Sequence, residues 1–457
     1  MKNFRFTTKL LMGAAVAFAL SAPLASCSDD DDDDDVEPTP TTNNNPSGPT
    51  AQEDAFAAHF DANSNVALDL GTLDATNLIP STAPAAGTMP PAGFFDQVNY
   101  KGAFGSTDWT AGWTYLSGNT TFDNNKPTKT VTDATLNGSA TFSKDTIYIL
   151  DGFVFVDSLT TLTIDAGTVI KGKSGQGASA SALIVARGGT LNANGTANDP
   201  IIMTYEGDNG SGQAANVRGQ WGGLIVLGSA SLNSNPGQTQ VEGIPSTEPR
   251  GFYGGSNDAD NSGTITYVSI RHGGTDIGAG NEINGLTFAG VGSGTTVNYV
   301  EVAANKDDGF EFFGGTVNTK HLVASYCADD SYDYDEGFRG MGQYWLVVQV
   351  NDSDRGGEHD GGTDPETATP YATPVIYNAT YIGNGSSRAL TFRDNAGGEY
   401  HNSIFHNFGK GIDIEDLSSG EDSYSRFSNG DLALKGNVFS QIGAGTGSYD
   451  IFTVTVP

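Results

Sequence analysis

The chain has 457 residues, 61 of them glycine, only two cysteines, and a formal net charge of −32. Such an acidic chain repels phosphates, so nucleic acid is excluded as a natural partner, while divalent cations or a cationic partner are its complement. Two cysteines rule out a disulfide framework and a cysteine-rich metal site.

Lys2, Arg5 and Lys9 precede an apolar run from Leu10 to Leu20. That is the layout of a secretion signal, too short to span a bilayer comfortably. Leu24-Ala25-Ser26-Cys27 follows. Its small residues and its position resemble the bacterial lipobox, in which the cysteine is lipidated. Residues 1–26 therefore read as a lipoprotein signal peptide and Cys27 as the lipidation site. Seven aspartates, Asp29 to Asp35, and a Pro/Thr/Asn-rich stretch come next. Residues 27–50 cannot bury apolar area and read as a disordered acidic tether. An acidic run directly after the lipid-bearing cysteine resembles the surface-export signal of Bacteroidetes lipoproteins. The resemblance implies the cell outer membrane, with the body displayed outside. No second apolar run reaches membrane-spanning length, which leaves the acyl chains as the membrane contact. Cys327 is left over as a core thiol.

Residues 51–60 predict one short helix. Residues 61–95 are poor in pattern, and Trp109, Trp113 and Tyr115 follow among glycines. Residues 51–120 read as an N-terminal cap covering the first open coil of a solenoid, since such a coil leaves strand edges bare. Residues 121–457 read as short strands punctuated by Gly, Asn and Asp turns. Leu162-Thr-Ile-Asp-Ala-Gly-Thr-Val-Ile, Pro200-Ile-Ile-Met-Thr and Trp221-Gly-Gly-Leu-Ile-Val-Leu-Gly are such units. They are similar to right-handed parallel β-helices of the pectate-lyase type, an all-β fold.

One repeat fixes a register. Asp307-Asp-Gly-Phe-Glu-Phe-Phe-Gly-Gly aligns with Asp329-Asp-Ser-Tyr-Asp-Tyr-Asp-Glu-Gly, 22 residues on. Phe310 and Phe312 fall on Tyr332 and Tyr334, and Val300 and Val302 on Leu322 and Ala324. Leu390-Thr-Phe-Arg-Asp falls on Ile412-Asp-Ile-Glu-Asp at the same step. Asn378, Asn402 and Asn437 read as a structural asparagine column. At about 23 residues per coil, the body is expected to hold some fourteen coils and to run roughly 65 Å.

In that register Glu311 stacks beside Asp333 and Asp307 beside Asp329. Like charges so placed repel by about 1 kcal/mol per pair even in water. Calcium, which takes six to eight oxygens, is the expected offset. The candidate ligands are Asp307, Asp308, Glu311, Asp329, Asp330 and Asp333. A third acidic turn holds Asp352, Asp354, Glu358, His359, Asp360 and Asp364. Within it Arg355, Glu358, His359 and Asp360 have the residue types for acid–base chemistry on a glycan. The other signatures of glycosidases on this fold are missing, so the reading is non-enzymatic first, with a polysaccharide lyase or hydrolase as the alternative. Tyr332 and Tyr334 are the stacking residues of a second alternative, a glycan-binding adhesin.

The lipobox, the Trp221 string and the two acidic repeats together resemble a family of Bacteroidetes surface lipoproteins with a β-helix body. The resemblance implies a protective, surface-layer-like protein that self-associates. It carries no catalytic residue onto this sequence.

Overall fold

The computed structural model describes residues 50–278, 281–362, 365–417 and 419–455. Cys27, the signal segment, the tether up to residue 49, and Asp364 lie outside them. No helix among the described residues is long and apolar enough to cross a membrane.

Short strands recur from Thr128 onward and stack in parallel, making the chain a parallel β-helix. One face is a ten-stranded ladder that climbs from Phe153–Val156 to Phe452–Thr455. Nineteen further strands form a second sheet bent into two more faces, and four short ones make two separate hairpin-like pairs. Three long strands, Gly263–Arg271, Thr296–Ala303 and Asn318–Ser325, pass through both of those faces. Gly263–Arg271 pairs with Thr190–Asn194 along its first half and with Ile201–Tyr205 along its second.

The bend between these two faces has a side-chain signature. Tyr267, Tyr299, His321 and Tyr344 have left-handed φ values of 49°, 56°, 52° and 61°. Such conformations cost about 1 kcal/mol or more for non-glycine residues. The four rings stack coil on coil, with centroids 4.4, 4.1 and 4.7 Å apart, which offsets that cost. Asn378 and Asn402 continue the column at φ 56° and 50°. Asn437 does not join them; its side chain bonds to the Ser403 N–H, one register position on.

The repeat register is the one present. Phe310, Glu311 and Phe312 pair with Tyr332, Asp333 and Tyr334, and Val300 and Val302 with Leu322 and Ala324. Leu390 and Phe392 pair with Ile412 and Ile414. The aromatics point inward: Phe310, Phe312, Tyr332 and Tyr334 are fully buried, and Phe310 stacks on Tyr332 at 5.3 Å. Gly309 precedes this rung because a Cβ there would stand 2.6 Å from the Ser331 carbonyl oxygen.

The expected fourteen coils are not found. The ladder has ten rungs, about 43 Å from first to last. Several coils take far more than two dozen residues: Leu183 pairs with Leu224, and Leu224 with Leu286. The surplus residues form insertions on the outside of the ladder. One of them, within 229–260, packs Leu232, Val241, Ile244 and Tyr253 over Phe155, Ile184, Ile225 and Leu227.

The N-terminal segment does not cap the first coil. Helix α1 (Ala51–Ala62) opens with a Thr50/Glu53 capping box and buries Phe56 and Phe60 at the other end of the solenoid. Phe56 lies 4.5 Å from Phe427, and Phe60 lies 5.5 Å from Phe452. Val66–Ala67 then adds a strand to Val438–Ser440 of the last coil. From there the chain runs back as a strap over the outside of the bent sheet. The Ala103 N–H donates to Thr380 Oγ1, and the Tyr115 and Leu116 N–H groups donate to the Glu301 carboxylate. Thr121 finally bridges Ser211. The strap gains its hold from exposed-face apolar columns: Leu73, Phe104 and Trp113 cover Val323, Leu346 and Ile404. A bare last coil would otherwise expose core aromatics, which is why the helix is needed there.

Candidate metal centre

The site begins with the alternation of side chains along a strand. On each rung of the ladder, residues flanking the central position face the core. At the central position, Thr287, Glu311, Asp333, Glu358, Thr391 and Asp413 succeed one another in register on the outer face. Adjacent rungs of a sheet lie about 4.8 Å apart, so Glu311, Asp333 and Glu358 form a continuous carboxylate column. The column is nonetheless buried: Glu311, Asp333 and Glu358 are 3%, 9% and 7% exposed.

The turns before these rungs add a second row. An Asp308 carboxylate oxygen accepts the Asp330 N–H at 2.9 Å, and an Asp330 oxygen accepts the Arg355 N–H. Each aspartate thus ties its coil to the next. Three groups bring carboxylate oxygens within 4.8 Å of one another: Asp307, Asp308 and Asp329; Asp308, Glu311 and Asp333; and Asp329, Asp330 and Asp354. The second is buried throughout. Burial pushes the Asp308 carboxyl well up, and Asp330 and Asp333 add to the rise. Burial also raises Asp330, with Glu358 reinforcing it against Arg355. All six proposed ligands therefore lie in one continuous patch, joined by Asp354.

The donor set fits a hard cation. Every ligand atom is a carboxylate oxygen, which suits calcium and offers nothing to a soft metal. Oxygens bound on opposite sides of calcium at about 2.4 Å lie about 4.8 Å apart, and the oxygens of each group lie within that limit of one another.

The acid–base quartet does not assemble as a catalytic group. Alternation sends His359 inward between Glu358 and Asp360. Its ring is fully buried, stacks on Tyr334 at 4.0 Å and bonds through Nε2 to the Tyr400 hydroxyl at 2.8 Å. Burial lowers its pKa to about 3, so it stays neutral and out of reach of a substrate. Arg355 is held by Asp354 at 2.8 Å, Glu358 at 3.1 Å and Asp330 at 3.6 Å. Asp360 is held by Arg393 at 2.9 Å, and Arg393 also reaches Glu358 at 3.1 Å. Asp352 is turned away onto Arg218 at 2.6 Å. Tyr332 and Tyr334, being interior, offer no surface for a sugar.

The family described as the pectate-lyase-like beta helix domain matches residues 133–453. The chain belongs to that family. No curated protein and no solved structure matches it. Within this pectate-lyase-like β-helix the ladder is a scaffold that repeats one backbone geometry, and chemistry resides in whichever side chains occupy the outer columns. Sequence reasoning missed two contributors to the site, Arg393 and Asn284, and the partners of a third, Glu336. Arg393 lies in the Leu390 string, whose 22-residue match to Ile412 places it on the outer face. Asn284 donates through Nδ2 to both Glu311 and Glu242, and so links the insertion to the acidic column. Glu336 accepts from the Ser234 and Tyr253 hydroxyls at 2.5 and 2.6 Å, pinning the same insertion at its far end. Arg393 and Glu336 each lie in a repeat string; the contacts of the insertion have no such signal.

Proposed function

We propose that this chain is a lipid-anchored, non-enzymatic structural protein of the bacterial cell surface, held to the outer membrane through Cys27, with a body stapled by calcium. The observation that carries the reading is the buried group of Asp308, Glu311 and Asp333 on adjacent rungs. Unscreened, it stores repulsion; bridged by calcium, it locks successive coils. The acidic surface and the long stacked body suit lateral association into a protective, surface-layer-like coat, in which calcium also bridges neighbouring copies. The Cys27 lipobox and the aspartate run after it supply the address.

A calcium titration of thermal stability tests the cation. A ligand bound only by the folded state raises the melting temperature as its concentration grows. A clear rise with calcium, smaller with magnesium, is expected; a flat response removes the cation from the account. A Cys27→Ala variant is expected to leave the membrane fraction, and retention there rejects the anchor. Electron microscopy of cells with and without the protein tests the coat.

A second reading has one observation in its favour. Glu311, Asp333 and Glu358 project in a row from the outer face, and paired carboxylates are the machinery of glycosidic cleavage. Turnover of an acidic glycan that is lost in Asp333→Asn would favour a polysaccharide lyase or hydrolase.

A further inference from the structure

The route of the N-terminal segment sets which end of the solenoid meets the anchor. Helix α1 starts at Ala51 against the last coil. Gln52 Nε2 donates to Asp416 at 2.7 Å, and the Tyr449 hydroxyl donates to Asp54 at 2.8 Å. Phe56 and Phe60 join the main core beside Phe427, Phe439 and Phe452. Two further helices close the same end: α2 (Ser423–Asn429) and α3 (Ser448–Ile451). The start and the finish of the described body therefore sit together. The opposite end is edged by Thr128–Val131 and Ala140–Phe142, each paired on one side only, with Thr128, Lys129 and Thr130 exposed.

We infer that the solenoid faces the membrane with its last coil and holds its first coil outermost. The inference rests on the proposed anchoring at Cys27: the lipid-bearing segment enters the body at Thr50, which makes the last coil the end nearer the membrane. The lipid surface is thus the partner of the closed, helix-covered end, and the two short edge strands are what the cell presents outward. Contacts between copies in one membrane then run side by side, because the closed end offers no free strand to the edge of another copy.

The test uses the full lipid-processed chain in vesicles carrying an acceptor-labelled lipid. One donor dye is placed on Asn429→Cys, at the exposed end of α2, and another on Thr141→Cys, exposed on the first coil. Cys327 is buried and stays unlabelled in the folded protein. Melting temperatures matching the parent chain show that both variants fold. The two sites lie nine rungs of about 4.8 Å apart, so energy transfer is expected to be about twofold or more higher from Asn429→Cys. Flotation of the protein with the vesicles is scored first. Flotation with equal transfer, or with more from Thr141→Cys, overturns the orientation while leaving the anchor intact. Failure to float overturns the anchor and the orientation with it.

Discussion

The outer face of the ten-stranded ladder changes character halfway up. On the lower rungs one outward column reads Phe155, Ile184 and Ile225, sealed under Leu232, Val241 and Ile244. Two rungs above Ile225 the same column becomes Glu311, then Asp333 and Glu358. Backbone geometry, register and depth of burial stay alike. The difference teaches that the fold dictates where a side chain points, and that the buried acids are retained against a cost the apolar half never meets. A solenoid stacks each choice on its like, so apolar columns reinforce themselves and acidic columns demand a counter-ion.

The sharpest way to break that contrast is to move a charge into the apolar half. Ile225→Asp buries an unpaired carboxylate among aliphatic side chains and is expected to cost about 4 kcal/mol or more, read as a large fall in denaturant midpoint. A small fall would mean that the lower half is as tolerant of charge as the upper. The next effect is pH dependence without cations. Burial raises Asp308, Asp330 and Asp360, and it lifts Glu336 and Glu415 to about 7. Each such group prefers its protonated form in the fold. For Glu336 and Glu415 the stabilising contribution is complete below the ordinary glutamate value of 4.5 and is lost as pH climbs through about 7. The raised aspartates act in the same direction. The metal-free protein should therefore melt lower at about pH 8 than at about pH 5, and calcium should flatten the profile. A metal-free melting temperature that rises over that range would contradict the column's electrostatics.

Two smaller effects sharpen the upper half. His359→Phe keeps the stack on Tyr334 and gives up the Tyr400 hydrogen bond, a cost of about 1–2 kcal/mol by chemical denaturation with calcium binding unchanged. Loss of a glycan-cleaving activity in that variant would instead return the histidine to a catalytic role. Asp333→Asn removes one charge from the column. Calorimetry without calcium should show a gain of about 1 kcal/mol, and the calcium-induced shift should shrink sharply. Destabilisation in both conditions would mean that Asp333 serves packing rather than cation binding.

The register of the site was legible because like residues recur 22 apart, and a stacked fold turns that period into contact. Glu311 beside Asp333 needed nothing else. The inward turn of His359, Tyr332 and Tyr334 was also written in the chain, as simple alternation with Glu358, Asp360, Asp333 and Asp335. Reading the stretch from Asp352 to Asp364 as an acidic turn hid the inward His359, and the candidate acid–base quartet went with that error. The place of α1 was not legible. Its partners, Phe427 and Phe452, lie at the other end of the chain, and an amphipathic helix does not say which open end it covers. The coil count failed because insertions spend residues outside the ladder, and composition does not separate them from rungs.

The central claim is that carboxylates on consecutive rungs share a cation. Diffraction from crystals grown in calcium, with data collected for anomalous scattering, tests it most directly. The account predicts an anomalous peak bonded by oxygens of Asp308, Glu311 and Asp333 at about 2.4 Å. Clear density for those side chains with no peak among them, in calcium well above physiological levels, would contradict it.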